Sequence, residues 1–134
     1  MAEGTCTDHD ELGHLTIGAI QALLALEIPA IAAVNGFAVG YAAGLVALCD
    51  VVVMGESAFL SDPHVHYGIA GGPVTHMMWP RLCSELKARD ILMTGRKVMA
   101  DEALRIGLCS AVCPDGEERA TALELAERFT ALPA

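Results

Sequence analysis

The sequence predicts an α/β domain in which short strands alternate with helices, and three observations carry that reading. Short apolar runs, Ile31-Ala32-Ala33-Val34 and Val51-Val52-Val53-Met54, stand between turn signals, as buried parallel strands do. The segments around them place apolar residues at helical rather than alternating spacing. Glycine or proline punctuates the chain where one kind of element gives way to the other, at Pro29, Gly36, Pro73 and Gly95. The 134 residues read as one domain, long enough to bury a core.

Residues 1–10 are polar and are expected to be disordered or part of a loop. Over residues 10–26, Leu12, Leu15, Ile20, Leu23 and Leu24 share one helical face, with Asp10 and Glu11 suited to its N-terminus. Pro29 stops this helix, residues 31–34 form a buried strand, and Asn35-Gly36 turns the chain. Gly36, Gly40 and Gly44 lead into an Ala/Leu helix that Asp50 ends, and residues 51–54 and 58–60 are strands bracketing Gly55-Glu56-Ser57.

The polar cluster Asp62-Pro63-His64-Val65-His66 comes next, and extended backbone there would put His64 and His66 on the same side. Gly68, Gly71, Gly72 and Pro73 delay regular structure until a helix carrying Met77, Met78 and Leu82. Ser84 is placed as N-cap of a helix over 85–93 that Thr94-Gly95 closes. Asp101 is expected to cap a short helix to Ile106, with a last strand over 108–113. An amphipathic helix over 117–132 would begin a C-terminal helical region.

Composition narrows the function classes. Apolar residues make up 54% and aromatics only 4%, with a mean hydropathy of +0.47. So many small apolar side chains must pack tightly, against another subunit as well as inward. The net charge is −9 and no Lys or Arg precedes Arg81, which argues against nucleic acid or an anionic membrane as partner.

The cysteines Cys6, Cys49, Cys83, Cys109 and Cys113 are scattered, and Cys49 and Cys109 sit in apolar runs where a thiol acts as a small hydrophobe. Cys109 and Cys113 have loose metal spacing without a second pair, so no metal is expected. The polar, acidic start does not read as a signal peptide, and the expected compartment is the cytoplasm.

Residues 28–49 carry no charge, and glycine at every fourth position could serve a membrane helix. Pro29, Asn35-Gly36 and the lack of flanking basic residues oppose that reading. The same glycines let a helix start approach other backbone and turn its N–H groups toward a ligand oxygen, be it phosphate, carboxylate or developing oxyanion.

The run I-P-A-I-A-A-V-N-G-F-A-V-G, the Ala/Leu helix ending in C-D, and V-V-V-M-G-E-S-A-F-L together resemble the enoyl-CoA hydratase/isomerase family, the crotonase superfamily. L-M-T-G-R-K-V-M-A-D-E-A-L-R-I-G-L-C-S-A-V is similar to a later segment of that family, and the likeness extends from Leu15 to about Leu132. It implies a crotonase-like spiral of ββα turns, here partial, usually assembled into trimers or pairs of trimers. It also implies an acyl-CoA thioester as substrate, with coenzyme A part of that substrate and no separate cofactor. Two backbone N–H groups would hold the thioester oxygen as it becomes an enolate.

Carried over by position, the Tyr41 amide would be one oxyanion donor, at a site where the family usually has glycine. Gly44 and His64 stand where hydratases have their two glutamates, and Gly72 matches a glycine whose amide orients the water. Val39, Gly40 and Pro63 would line the substrate channel beside Gly44 and His66. The chain is about half the usual family length. By the resemblance, the strands supplying the other oxyanion donor and the closing C-terminal helices fall outside it, as in a fragment or a reduced member that needs a partner.

His64 has two readings: a hydrogen-bonded structural residue, or an acid/base group tuned by Asp62 or His66. D-P-H with a later W-P also resembles superfamily members that cleave carbon–carbon bonds of cyclic β-diketones, so retro-Claisen hydrolysis stands beside hydration. A catalytically silent assembly subunit is the rival from another class. His66 is expected to be structural or solvent-facing, His76 to pack with Met77, Met78 and Trp79, and Arg96-Lys97 to lie on a solvated loop.

Overall fold

The computed structural model describes residues 8–130. Helix α1 (Asp8–Leu24) is followed by β1 (Ile31–Val34), β2 (Phe37–Val39), α2 (Tyr41–Ala47), β3 (Val51–Gly55) and β4 (Phe59–Ser61). A 3₁₀ turn (Pro63–Tyr67) leads to α3 (Pro73–Cys83) and α4 (Glu85–Thr94). The chain closes with β5 (Val98–Met99), α5 (Ala100–Ile106), β6 (Ala111–Cys113) and α6 (Glu118–Thr130). Residues 1–7, the greater part of the stretch expected to be disordered, lie outside the described residues, as does Cys6; Asp8 and Asp10 already belong to α1.

The strands form two small sheets, ordered β1-β3-β6 and β2-β4-β5. β1 pairs in parallel with β3, Val34 opposite Met54, and β2 pairs in parallel with β4, Phe37 opposite Phe59. Each ββ unit therefore contributes one strand to each sheet, with a helix returning the chain, which is one turn of a ββα spiral. Parallel pairing demands a covered crossover, and α2 supplies it with Ala43, Gly44 and Ala47 buried. The Asp50 carboxylate accepts the Ala30 N–H at 2.8 Å while the Asp50 N–H donates to the Ala30 carbonyl, pinning the starts of β1 and β3 together. Residues 28–49 thus form two strands and a seven-residue helix, and among the described residues no helix is long and apolar enough to cross a membrane.

β3 is buried on both faces, as the Val-rich run requires. Its Val53 and Met54 pack into a core with Leu60, Trp79, Ile91 and Val98. Only Trp79 of the Met77-Met78-Trp79 patch is fully buried; Met77 and His76 are exposed, so the core packing expected of His76 does not occur.

One expected cap holds by position and one is corrected. Ser84 is the N-cap residue of α4, as expected, but at φ 89° and ψ 149° in the sharp bend after α3 its side chain makes no capping bond. Asp101 lies inside the first turn of α5, where it pairs with Arg105, and Met99 takes the cap position. Arg96-Lys97 lies on the loop between α4 and β5 with Lys97 exposed, as expected, and both charges have partners. Arg96 forks onto Glu102 with both bonds at 2.8 Å and reaches Asp90 at 2.9 Å, and the Lys97 ammonium lies 4.2 Å above the Phe59 ring.

Candidate active site

Three chain segments converge on one small apolar pocket of about 150 Å³. Thr16, Ile17 and Ile20 of α1 form one wall. Gly40, Tyr41 and Gly44 enter from the start of α2, and Gly72, Val74 and Thr75 from the start of α3. Gly40 has φ +57° and donates its N–H to the Ser61 carbonyl at 2.9 Å. That positive φ aims the chain into α2, whose first intrahelical bond runs from Gly44 N–H to the Gly40 carbonyl. The Tyr41 amide precedes it, among the helix-end donors that no earlier turn can satisfy. Its phenol hydroxyl donates to the Thr16 carbonyl at 2.8 Å, tying α1 across the pocket.

His64 does not line this pocket itself but lies against two of the glycines that do. A Cβ placed on Gly40 would lie 3.2 Å from His64 Cε1, and one on Gly72 would lie 3.9 Å from the same atom. The imidazole therefore lies against both glycines; a side chain at Gly40 would crowd it, while a Cβ at Gly72 would only touch it. His64 Nδ1 bonds Asp62 Oδ1; the histidine side chain is 31% exposed and that of the aspartate 0%. Asp62 Oδ2 accepts the Gly72 N–H at 3.1 Å and the hydroxyl of buried Thr75. Burial pushes the Asp62 carboxyl up, but the hydrogen bonds from Thr75 and His64 outweigh it and hold the group below the usual carboxylate range. An ionised Asp62 can only accept, so the proton on that side of the ring belongs to Nδ1, and in the neutral imidazole Nε2 is the nitrogen that carries the lone pair.

The extended reading of residues 62–66 is corrected. Asp62 is the N-cap and Pro63 the first residue of the 3₁₀ turn, the arrangement that Asp-Pro favours at a helix start. The turn carries His66 away from His64, and its exposed ring bonds the Thr94 carbonyl at 2.8 Å. His66 thus ties the turn to the end of α4 and does not tune His64. Val39 ends β2 opposite Ser61, and neither it nor Pro63 lines the pocket.

Gly72 is at the pocket, but its amide is engaged by Asp62 where the sequence suggested a water-orienting role. At Gly44 a Cβ would stand 3.2 Å from Val74 Cβ, so Val74 fills the space a glutamate there would need. Sequence reasoning missed Thr75, whose partner lies thirteen residues away, and the α1 wall.

Elsewhere, a larger hollow of about 440 Å³ beside Asn35 and Glu118 holds no histidine, and Glu118 Oε1 accepts the Gly116 N–H at 2.9 Å. Burial pushes the thiols of Cys49, Cys83 and Cys109 up, which keeps them protonated and unreactive. Among the described residues no cluster of His, Cys, Asp and Glu is arranged to hold a metal.

A ββα spiral with a glycine-framed pocket at the helix starts defines a crotonase-fold protein. The model of the enoyl-CoA hydratase/isomerase family matches residues 1–134, and the chain belongs to that family. It is 34% identical over 129 residues to a short-chain-enoyl-CoA hydratase of Clostridium acetobutylicum, covering 96% of this chain and 49% of the relative. Among solved structures, a monofunctional enoyl CoA isomerase from M. smegmatis is 35% identical with a TM-score of 0.80, over 88% of this chain and 56% of that one. An enoyl-CoA hydratase/isomerase from Mycobacterium paratuberculosis is 36% identical with a TM-score of 0.79, over 94% and 51%. The chain thus spans about half the length of the curated relative it matches.

Proposed function

We propose that this protein acts on an acyl-CoA thioester by hydratase- or isomerase-type chemistry, with His64 as its acid/base group. The observation that supports this is the Asp62–His64 pair packed against Gly40 and Gly72, two glycines that line an apolar pocket. In hydration, Nε2 of His64 takes a proton from water as the oxygen adds to C3 of the enoyl group. The electron pair of the double bond moves onto the thioester oxygen, where the Tyr41 N–H stabilises the enolate. The enolate collapses as C2 takes up the proton from His64, so the group ends as it began. The pocket has the volume of about five water molecules, which suits an acyl group of a few carbons. Coenzyme A enters as part of the substrate, and trimers or pairs of trimers are the proposed assembly.

Calorimetric titration with a short enoyl-CoA, followed by turnover of His64→Ala, tests the proposal. Saturable binding and a loss of about 10²- to 10⁴-fold in kcat are expected. Unchanged turnover in the variant would remove His64 from the mechanism.

One observation favours a second reading. An aspartate–histidine pair, with Val74 filling the other glutamate's place, suits water activation for carbon–carbon hydrolysis of a β-diketone. Turnover of a cyclic β-diketone without coenzyme A would decide for it. A folded protein inert to both substrates would point to a silent subunit.

A further inference from the structure

We infer that Thr75 is a positioning residue: its hydroxyl, together with the Gly72 amide, locks the Asp62 carboxylate, and Asp62 in turn holds the His64 ring with its proton on Nδ1 and Nε2 free. The effect on turnover rests on the acid/base role proposed for His64; the effect on the ring does not.

The four bonds to Asp62 are divided by oxygen. Oδ1 serves His64 alone, through its ring Nδ1 and its backbone N–H, while Oδ2 serves the Gly72 N–H and the Thr75 hydroxyl. Rotating the carboxylate would break bonds on both sides, and with Asp62 at 1% exposure no water stands ready to replace them. Thr75 is fully buried, and its single hydroxyl proton has two acceptors in reach, Asp62 Oδ2 and the Gly72 carbonyl at 2.8 Å. The ionised oxygen is the stronger acceptor and takes the proton. The Gly72 carbonyl is not orphaned by that choice, because it accepts the His76 N–H at 3.2 Å and lies 3.3 Å from His76 Nδ1. The arrangement with the hydroxyl on Oδ2 therefore satisfies every polar group around the carboxylate and gives the charged oxygen two donors.

Removing the Thr75 hydroxyl leaves Oδ2 with the Gly72 N–H as its single donor and loosens the carboxylate. The preference for a proton on His64 Nδ1 then rests on the remaining bonds alone and weakens. A threonine that merely starts α3 would not produce that result, since His64 lies outside the helix.

Long-range ¹H–¹⁵N spectra of the 134-residue chain, recorded for wild type, Thr75→Val and Thr75→Ser, are the test. Wild type and Thr75→Ser should show His64 protonated at Nδ1, and Thr75→Val a mixture of tautomers. In turnover, Thr75→Val should lose about tenfold in kcat with KM little changed, and Thr75→Ser should recover most of it. A folded Thr75→Val protein with the wild-type tautomer overturns the inference. Should Thr75→Val not fold, the wild-type protein still decides. A slowly exchanging Thr75 hydroxyl proton close to the Gly72 amide proton is expected, and rapid exchange of that hydroxyl overturns the inference. Loss of the His64→Ala effect would sink the proposed function and leave the tautomer result standing.

Discussion

Asp62 is the residue on which the site turns, and its chemistry reaches beyond the site into stability. Its carboxyl is depressed in the folded chain, so the folded state binds its proton less readily than the unfolded chain does. A depressed carboxyl adds stability that is fully present above the unfolded pKa of about 3.9 and is lost as pH falls through the folded value. Asp62→Asn should therefore be less stable than wild type at neutral pH, and the two should converge below about pH 4. Urea unfolding of both proteins across that range measures it, and a gap independent of pH would contradict it. Asp101, Glu102 and Asp115 are also depressed and shape the acid limb of both proteins alike, so the difference isolates Asp62. The adjacency of Asp62 and His64 was legible as D-P-H. The direction of His66 was not, because Pro63 reads equally as a stiff extended residue and as the first residue of a turn. Thr75 was silent, since a contact thirteen residues away leaves no periodic mark.

At the scale of elements, β1, β3 and β4 were legible because β-branched and apolar residues lie between strong turn signals, and they fall within a residue or two of their expected bounds. β2, three residues between the Asn35-Gly36 turn and Gly40, was not expected. What spacing could not reveal was which strand joins which sheet, since partners such as Phe37 and Phe59 are set by the return path of α2. The junction of α3 and α4 carries a test of its own. Ser84 is the only non-glycine residue at positive φ among the described residues, in a region that glycine alone occupies without strain. Its side chain makes no capping bond that a substitution would forfeit. Ser84→Gly should therefore stabilise the protein by about 1 kcal/mol, the relief of backbone strain exceeding the extra entropy of an unfolded glycine. Chemical denaturation should show a raised midpoint at unchanged slope. A lowered midpoint would mean that the hydroxyl or the stiffness of serine matters more than the strain.

For the whole molecule, the apolar composition and the charge pull in opposite directions. Large apolar side chains remain in solvent on separate elements: Leu15 and Ile17 on α1, Phe37 on β2, Leu86 and Met93 on α4. β1 and β2 each end their sheet, so both present an unpaired backbone edge among the described residues. Apolar surface of this extent on a chain of 14.0 kDa is the kind that association covers. The net charge of −9 opposes that association through repulsion between copies, and salt screens it over about 10 Å at 0.1 M. Assembly should therefore strengthen as salt is added, the reverse of what a charge-paired interface would do. Sedimentation equilibrium at rising ionic strength is expected to shift the protein toward a trimer or a pair of trimers. A chain that stays monomeric at every salt concentration would show that its apolar surface is tolerated in water. Dissociation by salt would assign the contact to ion pairs, leaving Phe37, Leu86 and Met93 outside it.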